Sequence, residues 1–337
     1  MCKNIRITLL YKILYLCMNL LPANKESISR ASEIIKTGGL VAFPTETVYG
    51  LGANGLNPAA IAKIFEVKKR PAFNPLILHI SRKDWLGKYA VIQSEKVERL
   101  IAKFWPGPLT LVLSKTDLVP GIVTAGNPTV AIRMPANEIA LRLIDECGLP
   151  IAAPSANRFG HLSPTEASHV AKYMGEKIDL ILDGGKCTVG VESTILEFNN
   201  DRFYMLRPGG LSIEEIEAEI GKIEPGSLNT NKPNSPGQLL FHYSPKTPLK
   251  FFNPKLLDPA KKTGVIFFNK KLTDFPFSKV LILSVRGDLR EAAGNLFSFL
   301  HEMEKEHLDV IFVESVEEKG LGIAIMDRLK RAVKKHV

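Results

Sequence analysis

Cysteine is scarce in this chain: Cys2, Cys17, Cys147 and Cys187 are the only four among 337 residues, and none forms a C-x-x-C pair. So few scattered thiols do not make a disulfide-stapled scaffold, and a reducing, cytoplasmic setting fits better. Long apolar runs are also missing. The apolar-rich stretch 5–21 is broken by Arg6 and Lys12, short of the roughly 20 uninterrupted residues a spanning helix needs. No small-x-small cleavage site follows it, so it does not read as a secretory leader. Several chemistries lack their signatures. There is no G-x-x-x-x-G-K-[ST] phosphate loop and no G-x-S-x-G nucleophile elbow. His301-Glu302 is followed by His307 and not by a histidine at 305, which excludes the helical zinc pattern. No repeat of solenoid or propeller period is visible.

What is present is ordinary globular composition, with 45% hydrophobic residues and a net charge of +9. The length exceeds what one compact domain usually holds, so two domains are expected. The positive excess is spread along the chain apart from a basic last stretch from Arg328. It suits an anionic small substrate or weak nucleic-acid contact, and equally a solvated surface face. Met18 precedes the first well-patterned segment, so residues 1–17 read as an upstream extension from an early start codon.

Strand-like and helix-like patterns alternate. Residues 26–37 read as a helix closed by Gly38-Gly39, and 40–43 as a buried strand. Asn57-Pro58 opens a helix, and Ser94 caps another. Further strands are expected at 76–80, 109–113, 129–133, 150–153, 178–183 and 193–198, with helices near 137–147 and 163–174. Ser163 and Glu166, and again Ser212 and Glu215, have capping-box spacing. The stretch from Glu224 to Gly237 is rich in Pro, Gly, Ser and Asn and reads as a linker. Beyond it, strands at 249–252, 264–268, 280–284 and 309–313 and helices at 288–306 and 323–335 predict a second, smaller domain. Mixed order of this kind argues for helices layered on sheets.

Eight segments offer chemistry. Phe43 to Gly55 contains a formal G-x-G-x-x-G at Gly50, Gly52 and Gly55, but six residues separate Phe43 from Gly50. The next strand, ending near Ile80, carries no acidic residue for a ribose, so a dinucleotide site is disfavoured. The alternative is a glycine-rich turn that lets Thr45, Thr47 and Tyr49 face a cavity. Lys68, Lys69 and Arg70 precede a rigid turn through Asn74; they suit a phosphate clamp, or simply a helix C-terminus. His79, alone in an apolar strand, reads more readily as a core residue than as a ligand. Trp105-Pro-Gly-Pro is a stiff turn. Arg133 ends a strand, where ligands dock in layered sheets. Ser155 and Asn157 follow another strand and suit neutral donation to phosphate oxygens, as does Ser163 at a helix start. Glu192-Ser-Thr, with Leu206-Arg-Pro-Gly, is the seventh segment. His242-Tyr-Ser-Pro, at the domain junction, is the eighth.

Taken in order, these segments resemble the threonylcarbamoyl-AMP synthases. The resemblance rests on Pro44-Thr-Glu-Thr-Val-Tyr-Gly-Leu-Gly52, Lys68-x-Arg70, Asn74-Pro-Leu, Trp105-Pro-Gly-Pro-Leu-Thr and Ala131-Ile-Arg-Met-Pro. It continues through Ala153-Pro-Ser-Ala-Asn, Asp183-Gly-Gly, Glu192-Ser-Thr and Leu206-Arg-Pro-Gly. His242-Tyr-Ser-Pro and Gly320-Leu-Gly-Ile-Ala-Ile-Met-Asp-Arg-Leu resemble the family's long, two-domain form. The resemblance implies an N-terminal extension over 1–23 and a YrdC-like catalytic domain over 24–221. A linker or lid over 222–246 and a small Rossmann-like α/β domain over 247–337 complete it. The implied catalytic fold is a twisted, open α/β sheet with a concave basic face.

The implied reaction joins L-threonine, bicarbonate or CO2, and ATP into threonylcarbamoyl-AMP and pyrophosphate, for a downstream threonylcarbamoyl transferase complex acting on tRNA. A weak tRNA contact, Mg2+ carried on ATP, and no membrane partner go with it. By resemblance, threonine is held by Thr47, His79, Arg133, Ala153 and Ser193. ATP is held by Lys68, Arg70, Asn74, Thr129, Ser155, Asn157, Ser163, Arg207 and Tyr243. No protein nucleophile or protein-held metal is implied; Lys68 and Arg70 stand nearest to a catalytic role. The rival is a non-enzymatic RNA-binding module with a basic concave face, but stacking aromatics are sparse for one. A carbamoyltransferase of the hydrogenase-maturation type would carry acylphosphatase and zinc-finger segments, and neither is found.

Overall fold

The computed structural model of the chain describes residues 19–92, 94–226, 235–236 and 243–334. The expected extension over 1–17, most of the linker and His242 lie outside the described residues.

The strands in chain order are β1 (Leu20–Pro22), β2 (Val41–Phe43), β3 (Gly50–Asn54), β4 (Ile77–His79), β5 (Leu109–Ser114), β6 (Thr129–Arg133), β7 (Ile151–Ala152) and β8 (Leu180–Asp183). They continue as β9 (Thr194–Asn199), β10 (Arg202–Arg207), β11 (Glu224–Pro225), β12 (Leu249–Phe251), β13 (Thr263–Phe267), β14 (Lys279–Ile282) and β15 (Val310–Val313). The α-helices are α1 (Lys25–Lys36), α2 (Pro58–Lys68), α3 (Leu86–Tyr89), α4 (Glu95–Phe104), α5 (Gly121–Thr124) and α6 (Glu138–Cys147). After them come α7 (Ala167–Met174), α8 (Ile213–Ile220), α9 (Leu289–Met303) and α10 (Leu321–Val333). None of the described helices is long and apolar enough to cross a membrane.

The first sheet is open and mixed, with strand order β1-β8-β2-β3-β7-β4-β6-β5-β9-β10-β11. β1 pairs with β8 in parallel, so residues 20–22, expected to belong to an extension, form the sheet's edge. Three residues are too few to show a period in the sequence. The second sheet is wholly parallel, in the order β12-β15-β13-β14. α9 and α10 pack on one of its faces through Leu296, Leu300, Ile325 and Leu329. On the other face, Phe267 and Phe312 meet Phe252 and Phe277.

Successive side chains of a strand point to opposite faces, and this sorts the first sheet. Leu78, Leu111, Ile132 and Leu196 enter the main core with Ile61 and Ile64 of α2, Leu100 of α4 and Ile216 of α8. Their neighbours Ile77, Val112, Ala131, Ile195 and Leu206 form a separate small cluster to which only strand residues contribute. Helices therefore cover one face of the β4-β6-β5-β9 region, and the opposite face is left to the site.

The helix caps follow local chemistry only in part. Asn57 and Ser94 cap α2 and α4 through their side chains, and Ser212 and Glu215 form a full capping box on α8. The box expected at Ser163 is absent. α7 starts at Ala167, capped by Glu166 without a side-chain bond, because the Ser163 hydroxyl donates instead to Glu192 at 2.5 Å.

Candidate functional site

Two parallel strand ends set the centre. β4 and β6 pair in register so that His79 lies beside Arg133, both on the face that carries no helix. Both are nearly fully buried. Arg133 donates from Nε to the Gly107 carbonyl at 3.2 Å, from Nη1 to Thr47 Oγ1 at 3.0 Å and from Nη2 to Glu46 Oε1 at 2.6 Å. The stiff Trp105-Pro-Gly-Pro turn thus supplies an acceptor that orients the arginine. Burial, and then Arg133, push the His79 imidazole down to about 3, so it is neutral at physiological pH. Its Nδ1 is buried with no hydrogen-bond partner.

β5 and β9 bring in the next wall. Thr110 Oγ1 and Ser193 Oγ lie 2.7 Å apart. Arg207, at the end of β10, forks onto Ser193, donating to its carbonyl from Nε at 3.1 Å and Nη2 at 2.9 Å. Gly209 makes this approach possible. A Cβ there would lie 2.3 Å from the Glu192 carbonyl oxygen and 2.4 Å from the Thr194 nitrogen, so only glycine fits.

The third wall is the turn after α2. Arg70 donates to the Asn74 carbonyl at 3.1 Å, to Asn74 Oδ1 at 2.6 Å and to the Pro75 carbonyl at 2.8 Å. Burial, with Arg207 adding to it, opposes the charged form of Arg70.

These walls enclose one pocket, lined by Thr45, Thr47, Arg70, Ile77, His79, Arg133, Ala153, Ser155, Glu192, Ser193, Arg207, Pro236 and Tyr243 among others. Nine residues singled out in the sequence thereby come together: Thr47, His79, Arg133, Ala153 and Ser193 from one set, and Arg70, Ser155, Arg207 and Tyr243 from the other. The glycines of the first motif are not a dinucleotide loop. Gly50 and Gly52 lie within β3, where a Cβ on Gly52 would meet Phe43 at 2.7 Å and Ile151 at 2.8 Å. Tyr49 turns away from the pocket, donating to the Gly185 carbonyl at 2.8 Å.

The other five ATP-set residues do not line the pocket. Lys68 is fully buried and donates to the backbone carbonyls of Ser155, at 2.5 Å, and of Asn157. It braces the loop that carries Ser155, and burial drives its pKa well below the usual lysine range. Asn157 braces the same loop, donating to the Arg158 and His161 carbonyls. Asn74 holds Arg70, and Ser163 is committed to Glu192. Thr129 shares the face of Ala131 and Arg133, but four residues of strand put it about 13 Å from Arg133. It lines a neighbouring cleft with Ser114 and Glu197.

Glu46, Glu192 and Arg328 stand within motifs of the sequence, but nothing local to them discloses a role. Arg328 of α10 is fully buried, donates from Nε to Glu192 Oε2 at 2.8 Å and to the Pro208 carbonyl at 2.8 Å, and lies 5.0 Å from the Tyr243 ring centre. Burial opposes the ionisation of Glu192, but Arg328, Arg207 and the Ser163 hydroxyl outweigh it and hold the carboxyl at about 2. A buried cation on the second domain, matched to a buried acid beside Ser193, is a pairing that only the tertiary fold discloses.

Comparisons with known proteins identify the family. Residues 33–209 match the family model described as "Telomere recombination", and 211–333 the model described as "Threonylcarbamoyl-AMP synthase, C-terminal domain". The threonylcarbamoyl-AMP synthase of Pyrococcus abyssi is 46% identical over 323 residues, covering 90% of this chain and 92% of its own length. That of Bacillus subtilis is 42% identical over 326 residues, covering 93% and 94%. The crystal structure of P. abyssi Sua5 complexed with L-threonine matches with a TM-score of 0.86 at 42% identity, covering 94% of this chain and 97% of that one.

Proposed function

This chain belongs to the threonylcarbamoyl-AMP synthase family in its two-domain form, and from that premise we propose that it makes L-threonylcarbamoyl-AMP and pyrophosphate from L-threonine, bicarbonate or CO2, and ATP. The observation that carries the reading is how the pocket divides its charges. Arg70 and Arg207 donate only to neutral protein oxygens, and among the described residues neither has a carboxylate within ion-pair distance. Buried cations without acid partners suit a polyanion such as a triphosphate. A few ångströms along the sheet face, His79 and the compensated Arg133 suit a small amino acid.

Thr47, His79, Arg133, Ala153 and Ser193 form the threonine side. Arg133 pairs with the carboxylate, and the neutral imidazole of His79 meets a polar group of the substrate. Arg70, Ser155, Arg207 and Tyr243 form the nucleotide side, supported from behind by Lys68, Asn74, Asn157 and Ser163. The apolar strand face of Ile77 and Ala131 runs from there toward Thr129 and gives the base a surface to lie on. The neutral threonine amine takes up CO2 with loss of a proton, or bicarbonate with loss of water, and becomes a carbamate. A carbamate oxygen then attacks the α-phosphorus, and pyrophosphate leaves. No protein nucleophile takes part, so this chain's contribution is to hold the reactants together and meet developing charge with fixed donors.

The described residues do not fit a protein cage for Mg2+. They contain no cluster of three candidate ligands, and both oxygens of Glu192 are engaged by Ser163 and Arg328. The ion is accordingly assigned to the triphosphate and water, and no step is derived through it. Pro236 and Tyr243 line the pocket from the interdomain stretch, which supports the lid reading of 222–246. The product is a mixed anhydride and so an acyl donor, suited to a transferase that acts on tRNA.

Separate substitutions test the division. Arg133→Ala is expected to raise KM for threonine, and Arg207→Ala that for ATP, each by roughly ten- to a hundredfold, the loss of one charged hydrogen-bonding partner. Steady-state kinetics with each substrate varied checks this; equal effects on both substrates would contradict the two-sided pocket.

A further inference from the structure

The buried cations of the site are not equivalent. Lys68, Arg70 and Arg207 donate to carbonyls, an amide oxygen and a hydroxyl. Arg133 alone among these four is held in an ion pair, with Glu46 at 2.6 Å, and both side chains are buried, 4% and 10% exposed. The second oxygen of Glu46, Oε2, is buried and has no hydrogen-bond partner. Glu192, the acid that lines the pocket, is neutralised by Arg328 and saturated by Ser163. Glu46 is therefore an acid whose charge is matched to Arg133 and whose second oxygen is uncommitted.

An arginine that only had to grip a carboxylate would gain from standing unpaired, as Arg70 and Arg207 do. Pairing it with a buried acid lowers the local charge to zero. In a low-dielectric pocket such a change is felt strongly over several ångströms. A neutral arginine–glutamate pair discriminates against a bare anion, and it complements a ligand that carries one positive and one negative group. We propose that Glu46 is a specificity-determining positioning residue. It acts through Arg133 and makes the amino-acid subsite selective for a zwitterion over a simple carboxylate. The same pairing keeps the amino-acid side from competing with the nucleotide side for anions. The inference rests on the threonine-site reading of the pocket.

The test compares two ligands that differ only in the amino group: L-threonine and its des-amino counterpart, 3-hydroxybutanoate. Each is titrated calorimetrically into the full-length protein and into the Glu46→Gln and Glu46→Asp variants. The wild-type protein is expected to favour threonine. In Glu46→Gln the ratio of the two dissociation constants should move at least tenfold toward 3-hydroxybutanoate, because Arg133 is then uncompensated. Glu46→Asp, which keeps the charge, should retain most of the wild-type preference, and KM for ATP should change less than twofold in both variants. A purely structural role in holding Arg133 would weaken both ligands by the same factor, and that result, or no change in the ratio, overturns the proposal. A wild-type protein that bound 3-hydroxybutanoate as well as threonine would also overturn it. Failure of the wild-type protein to bind threonine at all would overturn the underlying reading of the site instead.

Discussion

Arg133 donates from each of its three guanidinium nitrogens to a protein acceptor, one of them the buried carboxylate of Glu46, and keeps one further N–H on each terminal nitrogen for a substrate. Removing one member of such a pair leaves the other charge buried and unpaired, which typically costs about 3–5 kcal/mol. Arg133→Ala should therefore unfold at markedly lower urea than the wild-type protein at pH 7, in addition to losing threonine affinity. Arg133→Ala combined with Glu46→Gln should recover part of that stability. Urea titrations followed by circular dichroism check both, and an unchanged midpoint for the single variant would contradict the pairing. His79 shows what sequence could and could not disclose at this scale. A lone histidine in an apolar strand resembles a core residue. The neighbour that gives it a role is Arg133, 54 positions away and adjacent only through the β4–β6 register. Lys68 is a case of the other kind. Its place in a Lys-x-Arg run suggested phosphate, but the fold turns its ammonium onto the backbone behind Ser155.

Secondary elements were legible where local chemistry decides them. The caps at Asn57, Ser94 and Ser212 and the strands at 109–114 and 129–133 follow from side-chain bonding and apolar pattern alone. β3 was hidden because Gly50 and Gly52 resemble a turn; both are strand residues, and Gly52 is kept small by the closeness of Phe43 and Ile151. Ser163 was misread as a cap because its hydroxyl answers to Glu192, 29 residues on. The connection after β10 makes a prediction of its own. A Cβ on Gly209 would press on the backbone of Glu192, Ser193 and Thr194, so Gly209→Ala must displace the wall that holds Ser193 and Arg207. Overpacking of this kind costs about 1–3 kcal/mol. Turnover should fall at least tenfold, while Gly221→Ala, whose Cβ meets nothing although its φ is positive, should lose stability with little effect on turnover. Parallel thermal melts and rate measurements separate the two.

Across the whole molecule, the second domain is wired to the first. Arg328 reaches Glu192, Tyr173 donates to Glu304 at 2.5 Å, and Gly190 packs its backbone on Ala293 and Gly294 of α9. At the same junction His169 and His301 stack with ring centres 3.9 Å apart, and His301 Nε2 lies 3.1 Å from the Ser163 carbonyl. Burial lowers both pKa values, His169 to about 4 and His301 to about 3. In the unfolded chain both take up protons near pH 6.5. The unfolded state thus binds more protons than the folded one below that pH. With His79, whose pKa burial lowers in the same way, these two histidines should make stability fall as pH drops from about 6.5 toward 4. Thermal melts across that window should show the slope, and His301→Phe should make it shallower, leaving the share of His169 and His79. A slope unchanged in that variant would place the acid sensitivity elsewhere.

The central claim is that one pocket joins threonine, bicarbonate and ATP. Its most direct test is pyrophosphate release from ATP by the purified full-length protein with Mg2+, omitting threonine and bicarbonate in turn. The account predicts release only when both are present, and its loss in Arg133→Ala. Release that persists with both omitted would contradict it and identify a nucleotide hydrolase instead.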